Sequence, residues 1–220
     1  MLSSNTQLYP PMPDPTPIVF VIDDDVSVRE SLELLIRYEG WQAESFASAT
    51  EFLSRPREFV PSCLILDLCL PGFSGLDLQQ RIAGERTDMP IIFMTGHGDI
   101  PSSVRAMKAG AVEFLTKPFT DDALLSAVRQ ALDRSRIALD QDAESQKLRG
   151  CYESLSAREQ QVMSLVVSGL LNKQVGGELG ISEITVKVHR RRVMEKMKAH
   201  SFAELVEMAA RLRVTRARKT

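Results

Sequence analysis

Short apolar runs alternate with segments of helical periodicity from residue 18 to residue 131. The apolar runs have strand length and lie at Ile18–Ile22, Cys63–Leu66, Pro90–Met94 and Ala111–Leu115, with a half-polar one near Gln42–Phe46. The helical segments between them are Ser27–Tyr38, Ala49–Leu53, Gly75–Ala83 and Ser102–Lys108. Strands that are apolar on both faces are typical of a parallel sheet covered by helices on both sides. The pattern predicts a doubly wound α/β fold with a five-stranded parallel sheet.

The C-terminal part of the chain has a different pattern. No proline follows Pro118, and Gly150 is the only glycine between Gly110 and Gly169. We therefore expect Asp121–Leu148 to form the last helix of the α/β domain, which runs into a polar helical linker. The predicted organisation is a disordered, proline-rich tail at residues 1–17, the α/β domain at 18–133, the linker at 134–152 and a small all-α domain at 153–220.

The composition argues against several classes of protein. Of the 220 residues 44% are hydrophobic, yet no apolar run approaches the length of about 18 residues that spans a membrane. The N-terminus lacks the basic start and apolar core of a secretory signal. The three cysteines, Cys63, Cys69 and Cys151, are an odd number without ligand spacing, which argues against a disulfide framework or a zinc site. These features predict a cytoplasmic protein that has no membrane partner.

The charge is distributed unevenly along the chain. The formal net charge is −2, but residues 1–133 carry 10 basic against 19 acidic side chains, and residues 134–220 carry 17 against 10. A basic C-terminal part suggests a polyanionic partner there. A basic, solvated helical bundle has the same charge pattern, so charge alone leaves both interpretations open.

Polar residues stand at the predicted carboxyl ends of the strands, where open α/β sheets carry their function. Asp23, Asp24 and Asp25 follow the first strand, Asp67 the third, Thr95 the fourth, and Lys117 with Pro118 the fifth. Each residue alone has an ordinary interpretation, and Asp25 is predicted to cap the next helix. Together, the four strand ends favour one site with complementary chemistry.

These residue types match phosphoryl transfer to a carboxylate. Clustered carboxylates repel one another unless a cation lies between them, and Mg²⁺ prefers oxygen ligands. With the metal bound, one carboxylate can attack a phosphoryl group and form an acyl phosphate. A lysine and a hydroxyl would then stabilise the phosphoryl oxygens.

The segments VFVIDDD, LILDLCLPGFSGLDL, IIFMTGHGD and MKAGAVEFLTKPF resemble the receiver domain of two-component response regulators of the FixJ type, over about residues 18–135. The resemblance implies that Asp67 is the phosphoacceptor. It implies that Asp24, Asp67 and the backbone carbonyl of Cys69 bind Mg²⁺, with Asp23 acting through water. It further implies that Thr95 and Lys117 contact the phosphoryl group, that Phe114 is a switch aromatic, and that the Lys117–Pro118 peptide is cis. Gly96 departs from the residue usual in receivers generally, and no role is assigned to His97.

Helix, glycine turn and helix follow one another in the C-terminal part, which is the arrangement that places a recognition helix in the DNA major groove. The predicted helices are Leu155–Ser168, Asn172–Leu179 and Glu183–Lys198, with Ser156 and Ser182 as N-caps. The last of these is strongly basic. Its apolar positions Ile184, Val188, Met194 and Met197 are expected to face the bundle. A basic helix also fits a membrane surface, but this one has no large aromatic residue.

The pattern LSAREQQVMSLVVSGLLNKQVGGELGISEITVKVHRRRVMEKM resembles the LuxR-type helix-turn-helix of FixJ- and NarL-type regulators, over about residues 153–213. The resemblance places Asn172 and Lys173 near DNA phosphates. It places Thr185, Lys187, His189 and either Arg190 or Arg191 on the groove side. The pair Gly176-Gly177 departs from the usual alanine, and two glycines within a helix cost about 1 kcal/mol each. The last helix, Phe202–Leu212, is predicted to be core, dimer interface or both.

The sequence therefore predicts a response regulator, not an enzyme with its own turnover. A sensor histidine kinase would phosphorylate Asp67 and so control binding to double-stranded DNA as a homodimer. One rival is a phosphatase or phosphotransferase of the haloacid-dehalogenase type, but that chemistry usually needs a second aspartate where this chain has Cys69. A second rival keeps the DNA-binding domain and makes the receiver a phosphate-independent dimer module. A Rossmann nucleotide site is excluded because no glycine-rich turn follows the first strand.

Overall fold

The computed structural model describes residues 15–96 and 100–214. The chain divides into two compact units that meet in sequence between Asp140 and Gln141. Most of the predicted proline-rich tail, His97 and the end of the basic C-terminal tail lie outside the described residues.

The first unit contains a five-stranded parallel sheet flanked by helices. Its elements are β1 (Ile18–Ile22), α1 (Val26–Tyr38), β2 (Gln42–Phe46), α2 (Ala49–Ser54), β3 (Ser62–Asp67), β4 (Cys69–Leu70), β5 (Phe73–Ser74), α3 (Gly75–Ile82), β6 (Ile91–Thr95), α4 (Ile100–Lys108), β7 (Glu113–Thr116) and the start of α5 (Asp121–Glu153). The strand order is β2-β1-β3-β6-β7, and every neighbouring pair is parallel. The predicted doubly wound α/β class is confirmed.

The sheet separates two hydrophobic cores because successive side chains of a strand point to opposite faces. In β1, Ile18, Phe20 and Ile22 pack on one face in a cluster that includes Phe52 of α2 and Leu78 of α3. The alternate residues Val19 and Val21 pack on the other face with side chains of α1 and α5, such as Ile36, Leu124 and Val128. Both cores need apolar residues at every position of the central strands, which explains their uninterrupted apolar sequence.

Some predicted boundaries were wrong. The last strand starts at Glu113 instead of Ala111, because the Ala111 amide bonds back to the carbonyl of Ala106 and closes the end of α4, where Gly110 has φ +94°. A short antiparallel hairpin of β4 and β5 was not predicted. Its turn includes Gly72 at φ +72°, a conformation that favours glycine.

The second unit is helical, as expected. Helix α5 continues through Gly150 to Glu153, so the residues predicted as a linker belong to this helix. The helices α6 (Ala157–Val167), α7 (Asn172–Leu179), α8 (Glu183–Met197) and α9 (Phe202–Arg211) follow. Ser156 and Glu159 form a capping box at the start of α6, and Ser182 caps α8, which confirms both predicted N-caps. Among the described residues, no helix has the length and hydropathy to cross a membrane.

Candidate functional site

Four strands bring polar side chains to the carboxyl edge of the sheet. Asp23 follows β1, Asp67 and Thr95 end β3 and β6, and Lys117 follows β7. The Lys117 amide donates to the Thr95 carbonyl at 2.7 Å, which holds the last two strand ends together. Asp23, Asp67 and Thr95 are 1%, 8% and 0% exposed. The structure therefore gathers the predicted residues in one largely buried polar site.

Lys117 lies between two of the carboxylates. Its Nζ donates to Asp23 Oδ2 at 2.6 Å and to Asp67 Oδ2 at 3.1 Å. Burial lowers the pKa of Lys117, but hydrogen bonds to the two carboxylates, and their charges, outweigh burial and raise it above its ordinary value. The ammonium is therefore charged throughout the physiological pH range and offsets part of the repulsion between the acids.

Backbone amides fix the other carboxylate oxygens. Asp67 Oδ1 accepts a hydrogen bond from the Cys69 amide at 3.1 Å, and Asp23 Oδ1 accepts one from the Asp25 amide at 2.9 Å. Asp25 has a separate role, because its own Oδ1 accepts from the Ser27 amide at 2.8 Å and caps α1, as predicted. The acidic triplet is thus divided between the site and a helix cap.

The geometry of three carboxylates fits a divalent cation. One oxygen from each of Asp23, Asp24 and Asp67 lies within 4.8 Å of the other two. Ligands on opposite sides of an octahedral Mg²⁺ stand about 4.2 Å apart, given metal–oxygen distances of 2.0–2.1 Å. Asp24 is exposed while the other two are buried, so an ion here could keep waters on the open side, as Mg²⁺ commonly does.

Arg29 is a site residue that the sequence analysis missed. From the first turns of α1, its Nη1 donates to the backbone carbonyls of Asp23 and Asp24 at 2.7 and 3.0 Å. The guanidinium holds the loop that carries both acids and does not pair with their carboxylates in these contacts. The only available signal was a basic residue within one or two helical turns of the acidic triplet.

Phe114 packs beside the site on the same strand pair. It lies opposite Phe93 in the β6–β7 register, and the two ring centroids are 6.4 Å apart. Two residues further along, Thr95 lies opposite Thr116. Phe114 is half-buried and contacts the core cluster that contains Phe93. Phe114 therefore lies two residues from the Thr95 position in the register of the β6–β7 strand pair.

A tight turn joins α7 to α8 in the second unit. Gly180 has φ +65°, and the Ile181 amide bonds back to the Gly176 carbonyl at 3.0 Å. A Cβ at Gly176 would lie 2.7 Å from the Ile181 carbonyl oxygen, whereas a Cβ at Gly177 would meet nothing within 4 Å. Only the first of the two unusual glycines is therefore required by packing.

The buried face of α8 agrees with the expectation for Met197, which is buried, and for Met194, which packs against the same cluster, but not for the other two residues. Val186, Val193 and Met197 are its buried residues. Ile184 and Val188 are 75% and 46% exposed, so the expectation that they face the bundle was wrong. At 100° per residue, their positions lie opposite the Val186–Val193–Met197 stripe. The mixed apolar and basic sequence of α8 allows two possible apolar stripes, and contacts with α6 and α7 select one of them.

Two of the predicted DNA-binding residues are bound to each other. Arg190 Nη1 donates to Asn172 Oδ1 at 2.8 Å, and the same guanidinium lies 5.1 Å from the ring centroid of Phe202. These contacts connect α8 to the start of α7 and to α9. Lys173, next to Asn172, is exposed.

The remaining candidates differ in exposure. Lys187 is exposed, and its Nζ lies 3.4 Å from Glu183 Oε1. Arg191 is 82% exposed, and its Nε lies 2.8 Å from Glu195 Oε1. Thr185 and His189 are half-buried. The Thr185 hydroxyl bonds to the Ser182 hydroxyl at 2.8 Å.

Two family models match the chain. The response regulator receiver domain matches residues 19–129, and the luxR family of bacterial regulatory proteins matches residues 153–209. The chain belongs to the response regulator family.

Individual relatives of this response regulator match along most of their length. The chain is 51% identical to Nodulation protein W of Bradyrhizobium diazoefficiens, over 90% of this chain and 87% of that protein. It is 44% identical to the transcriptional regulatory protein FixJ of Azorhizobium caulinodans, over 90% and 93%. The solved low-resolution structure of the response regulator StyR superimposes with a TM-score of 0.78 at 47% identity, over 89% of this chain and 99% of that one. The prediction of a FixJ-type response regulator with a LuxR-type DNA-binding domain is confirmed.

Proposed function

We propose that a sensor histidine kinase phosphorylates Asp67 and that phosphorylation controls DNA binding by the response regulator as a homodimer. The observation that carries the proposal is the position of Lys117. Its Nζ lies 2.6 Å from Asp23 Oδ2 and 3.1 Å from Asp67 Oδ2, at the sheet edge that also holds the buried Thr95. A carboxylate held between a fixed cation and a backbone amide is oriented for one attack direction.

The proposed reaction transfers a phosphoryl group from phosphohistidine to Asp67. An Asp67 oxygen forms a bond to phosphorus as the phosphorus–nitrogen bond breaks, and the imidazole leaves with a proton. Lys117 neutralises charge on the phosphoryl oxygens, and the Thr95 hydroxyl donates a hydrogen bond to one of them. The Cys69 amide holds the Asp67 carboxylate in place.

Asp24, Asp67 and the Cys69 carbonyl are the proposed Mg²⁺ ligands, and Asp23 would act through a bound water. When bound, the ion would offset the charge of the acids and of the phosphoryl oxygens. The three carboxylate oxygens within 4.8 Å support this assignment.

The proposed signal leaves the site through Thr95 and Phe114. Movement of Thr95 toward the phosphoryl group would change the space beside the β6–β7 strand pair, and Phe114 would turn inward. The packing of the half-buried Phe114 against Phe93, on the strand pair that ends at Thr95, supports this route.

The proposed DNA contacts follow the exposure of the C-terminal helices. Lys173 and Asn172 would contact phosphates, while Lys187 and Arg191 would point into the major groove. Thr185 would lie beside the face of α8 that carries Lys187 and Arg191. His189 and Arg190 are less exposed, and we assign Arg190 to holding Asn172 in position. The protein would regulate transcription in the cytoplasm, without enzymatic turnover of its own.

Phosphorylation can be tested with acetyl phosphate or a purified histidine kinase in the presence of Mg²⁺. We expect a hydroxylamine-labile phosphoryl group on the wild type and none on Asp67→Asn. Asp25→Asn is a matched control, because Asp25 caps α1 and asparagine caps helices as well. Equal labelling of wild type and Asp67→Asn would contradict the proposal.

The gating step needs a separate measurement. Light scattering after size exclusion, with Mg²⁺ and with or without beryllofluoride, should show a monomer-to-dimer shift in wild type alone. DNA affinity should rise in the same samples. A dimer that forms equally in Asp67→Asn would support a phosphate-independent dimer module instead.

A further inference from the structure

We propose that Ile184 reads the 5-methyl group of a thymine in the major groove and so sets part of the operator sequence. The inference rests on the proposed DNA binding. It starts from the observation that Ile184, in the first turn of α8, is 75% exposed, more than the other large apolar residues described in the second unit.

Ile184 has no place in the hydrophobic cores of its own domain. The cluster around Val186 and Val175 and the cluster around Val193 and Met197 both close without it. Val188, one turn later, is also outside both clusters and 46% exposed. Scattered exposed apolar residues are common on protein surfaces. Two on one stripe of a recognition helix are a more specific pattern.

The exposed stripe combines apolar and cationic groups. Ile184, Lys187, Val188 and Arg191 have i, i+3, i+4 and i+7 spacing and therefore share one face. Lys187 and Arg191 are 63% and 82% exposed. The positive charges match the DNA phosphates and the acceptor edge of guanine. A polyanionic duplex is thus the partner whose charge complements this face.

Only one base offers an apolar group in the major groove. The thymine C5-methyl is the only such contact among the four base pairs, and apolar side chains recognise it. Residues at the start of a recognition helix commonly reach base edges. Ile184 and Val188 are separated by about 6 Å along the helix axis, since each residue rises 1.5 Å. Two contacts this close on one helix face reach neighbouring base pairs of a single stretch of groove. We therefore expect two thymine positions close together in each half-site.

The test begins with selection of an operator from random DNA by the full-length chain, activated with Mg²⁺ and beryllofluoride. Each thymine of the enriched half-site is then replaced in turn by deoxyuridine, which lacks only the methyl group. Loss of one buried methyl should weaken binding about fourfold at the position read by Ile184. In Ile184→Ala the thymine-to-deoxyuridine ratio at that position should fall to about one, and Ile184→Val should retain part of it. The ratio at the second thymine should instead depend on Val188.

Leu171→Ala is the matched control, because Leu171 is 70% exposed in the same domain but is not on the stripe. It should leave the thymine-to-deoxyuridine ratio unchanged. A melting curve checks that Ile184→Ala is folded. Failure to enrich any sequence would overturn the proposed DNA recognition as well as this inference. An enriched operator whose methyl dependence survives Ile184→Ala, or has none in wild type, would overturn the inference alone.

Discussion

Glu159 of α6 and Lys196 of α8 form a salt bridge between the first helix of the helix-turn-helix domain and its recognition helix. Lys196 Nζ lies 2.6 Å from Glu159 Oε2, and the Glu159 side chain is 4% exposed. The same carboxylate oxygen accepts from the Ser156 amide at 2.8 Å. The hydrogen bonds from Lys196 and Ser156 lower the pKa of Glu159 to about 2. The orientation of α8 is thus linked to an ionised, buried carboxylate.

Glu159→Gln should lower the free energy of unfolding of the second unit by about 1.5–3 kcal/mol at pH 7, because it removes a hydrogen bond between charged groups. Glutamine keeps the capping box, so the change isolates the charge. Since the folded pKa lies below the ordinary value of 4.5, the charged form stabilises the fold above pH 4.5. That contribution is lost as the pH falls toward 2. The difference between wild type and variant should therefore shrink below pH 4.5.

Circular dichroism and tryptophan fluorescence can separate the two units in denaturant unfolding. The single tryptophan, Trp41, lies in the first unit, so the transition that fluorescence does not show belongs to the second. Glu195→Gln is the control, because its pair with Arg191 is exposed on the same helix. It should cost about 0.5 kcal/mol or less. Equal losses in the two variants, or a Glu159→Gln difference independent of pH, would contradict the assignment.

Gly176 and Gly177 should respond oppositely to the same substitution. Gly177→Ala should raise the free energy of unfolding of the second unit by about 1 kcal/mol, the difference in helix propensity, since its Cβ meets nothing within 4 Å. Gly176→Ala should lower it by about 1–3 kcal/mol, because its Cβ would lie 2.7 Å from the Ile181 carbonyl oxygen. The same two-probe unfolding experiment measures both. A gain in stability from Gly176→Ala would show that the α7–α8 turn can move.

The sequence predicted the strand-end site but not the packing of the two glycines. The strand ends of the receiver were predictable because parallel strands bring their carboxyl ends to one edge, so Asp23, Asp67, Thr95 and Lys117 meet whatever the details of packing. The Gly176-Gly177 pair was recognisable only as unusual. Its close approach to Ile181 depends on the three-dimensional course of the turn.

The missed features depend on contacts that the hydrophobic pattern does not encode. Arg29 bonds to backbone carbonyls, which every residue has, so its position near the acidic triplet was only a weak signal. The face of α8 that is buried was ambiguous, because Ile184 and Val188 have the same spacing as a core stripe. The packing of α6 and α7 against α8 decides which apolar residues of α8 are exposed.

Leu171 occupies the N-cap position of α7 without a side-chain hydrogen bond to the helix. It is 70% exposed, so its replacement removes little apolar burial. Leu171→Ser should raise the free energy of unfolding of the second unit by about 1 kcal/mol, because a serine hydroxyl can accept from a first-turn amide. Leu171→Ala is the control and should give no such gain. An equal effect of serine and alanine would mean that capping is not the cause.

Arg29→Gln should weaken Mg²⁺ binding by about tenfold, the effect typical of residues that orient metal ligands from outside the coordination shell. The physical reason is that Arg29 Nη1 holds the carbonyls of Asp23 and Asp24, so its loss frees the loop that carries both acids. Isothermal titration of the full chain with Mg²⁺ measures the affinity directly. Arg37→Gln is a matched control on the same helix, because Arg37 is exposed and pairs with Glu33.

The two arginine variants also separate positioning from charge. Each removes one positive charge from α1, but Arg29 contacts the acidic loop while Arg37 lies in the last turn of the helix. Equal weakening in both variants would attribute the effect to the long-range charge, which added salt should then screen. Weakening confined to Arg29→Gln and insensitive to salt would establish that the guanidinium acts by fixing the backbone. The phosphorylation rate with acetyl phosphate at saturating Mg²⁺ should then recover toward wild type, because the carboxylates and Lys117 are all still present.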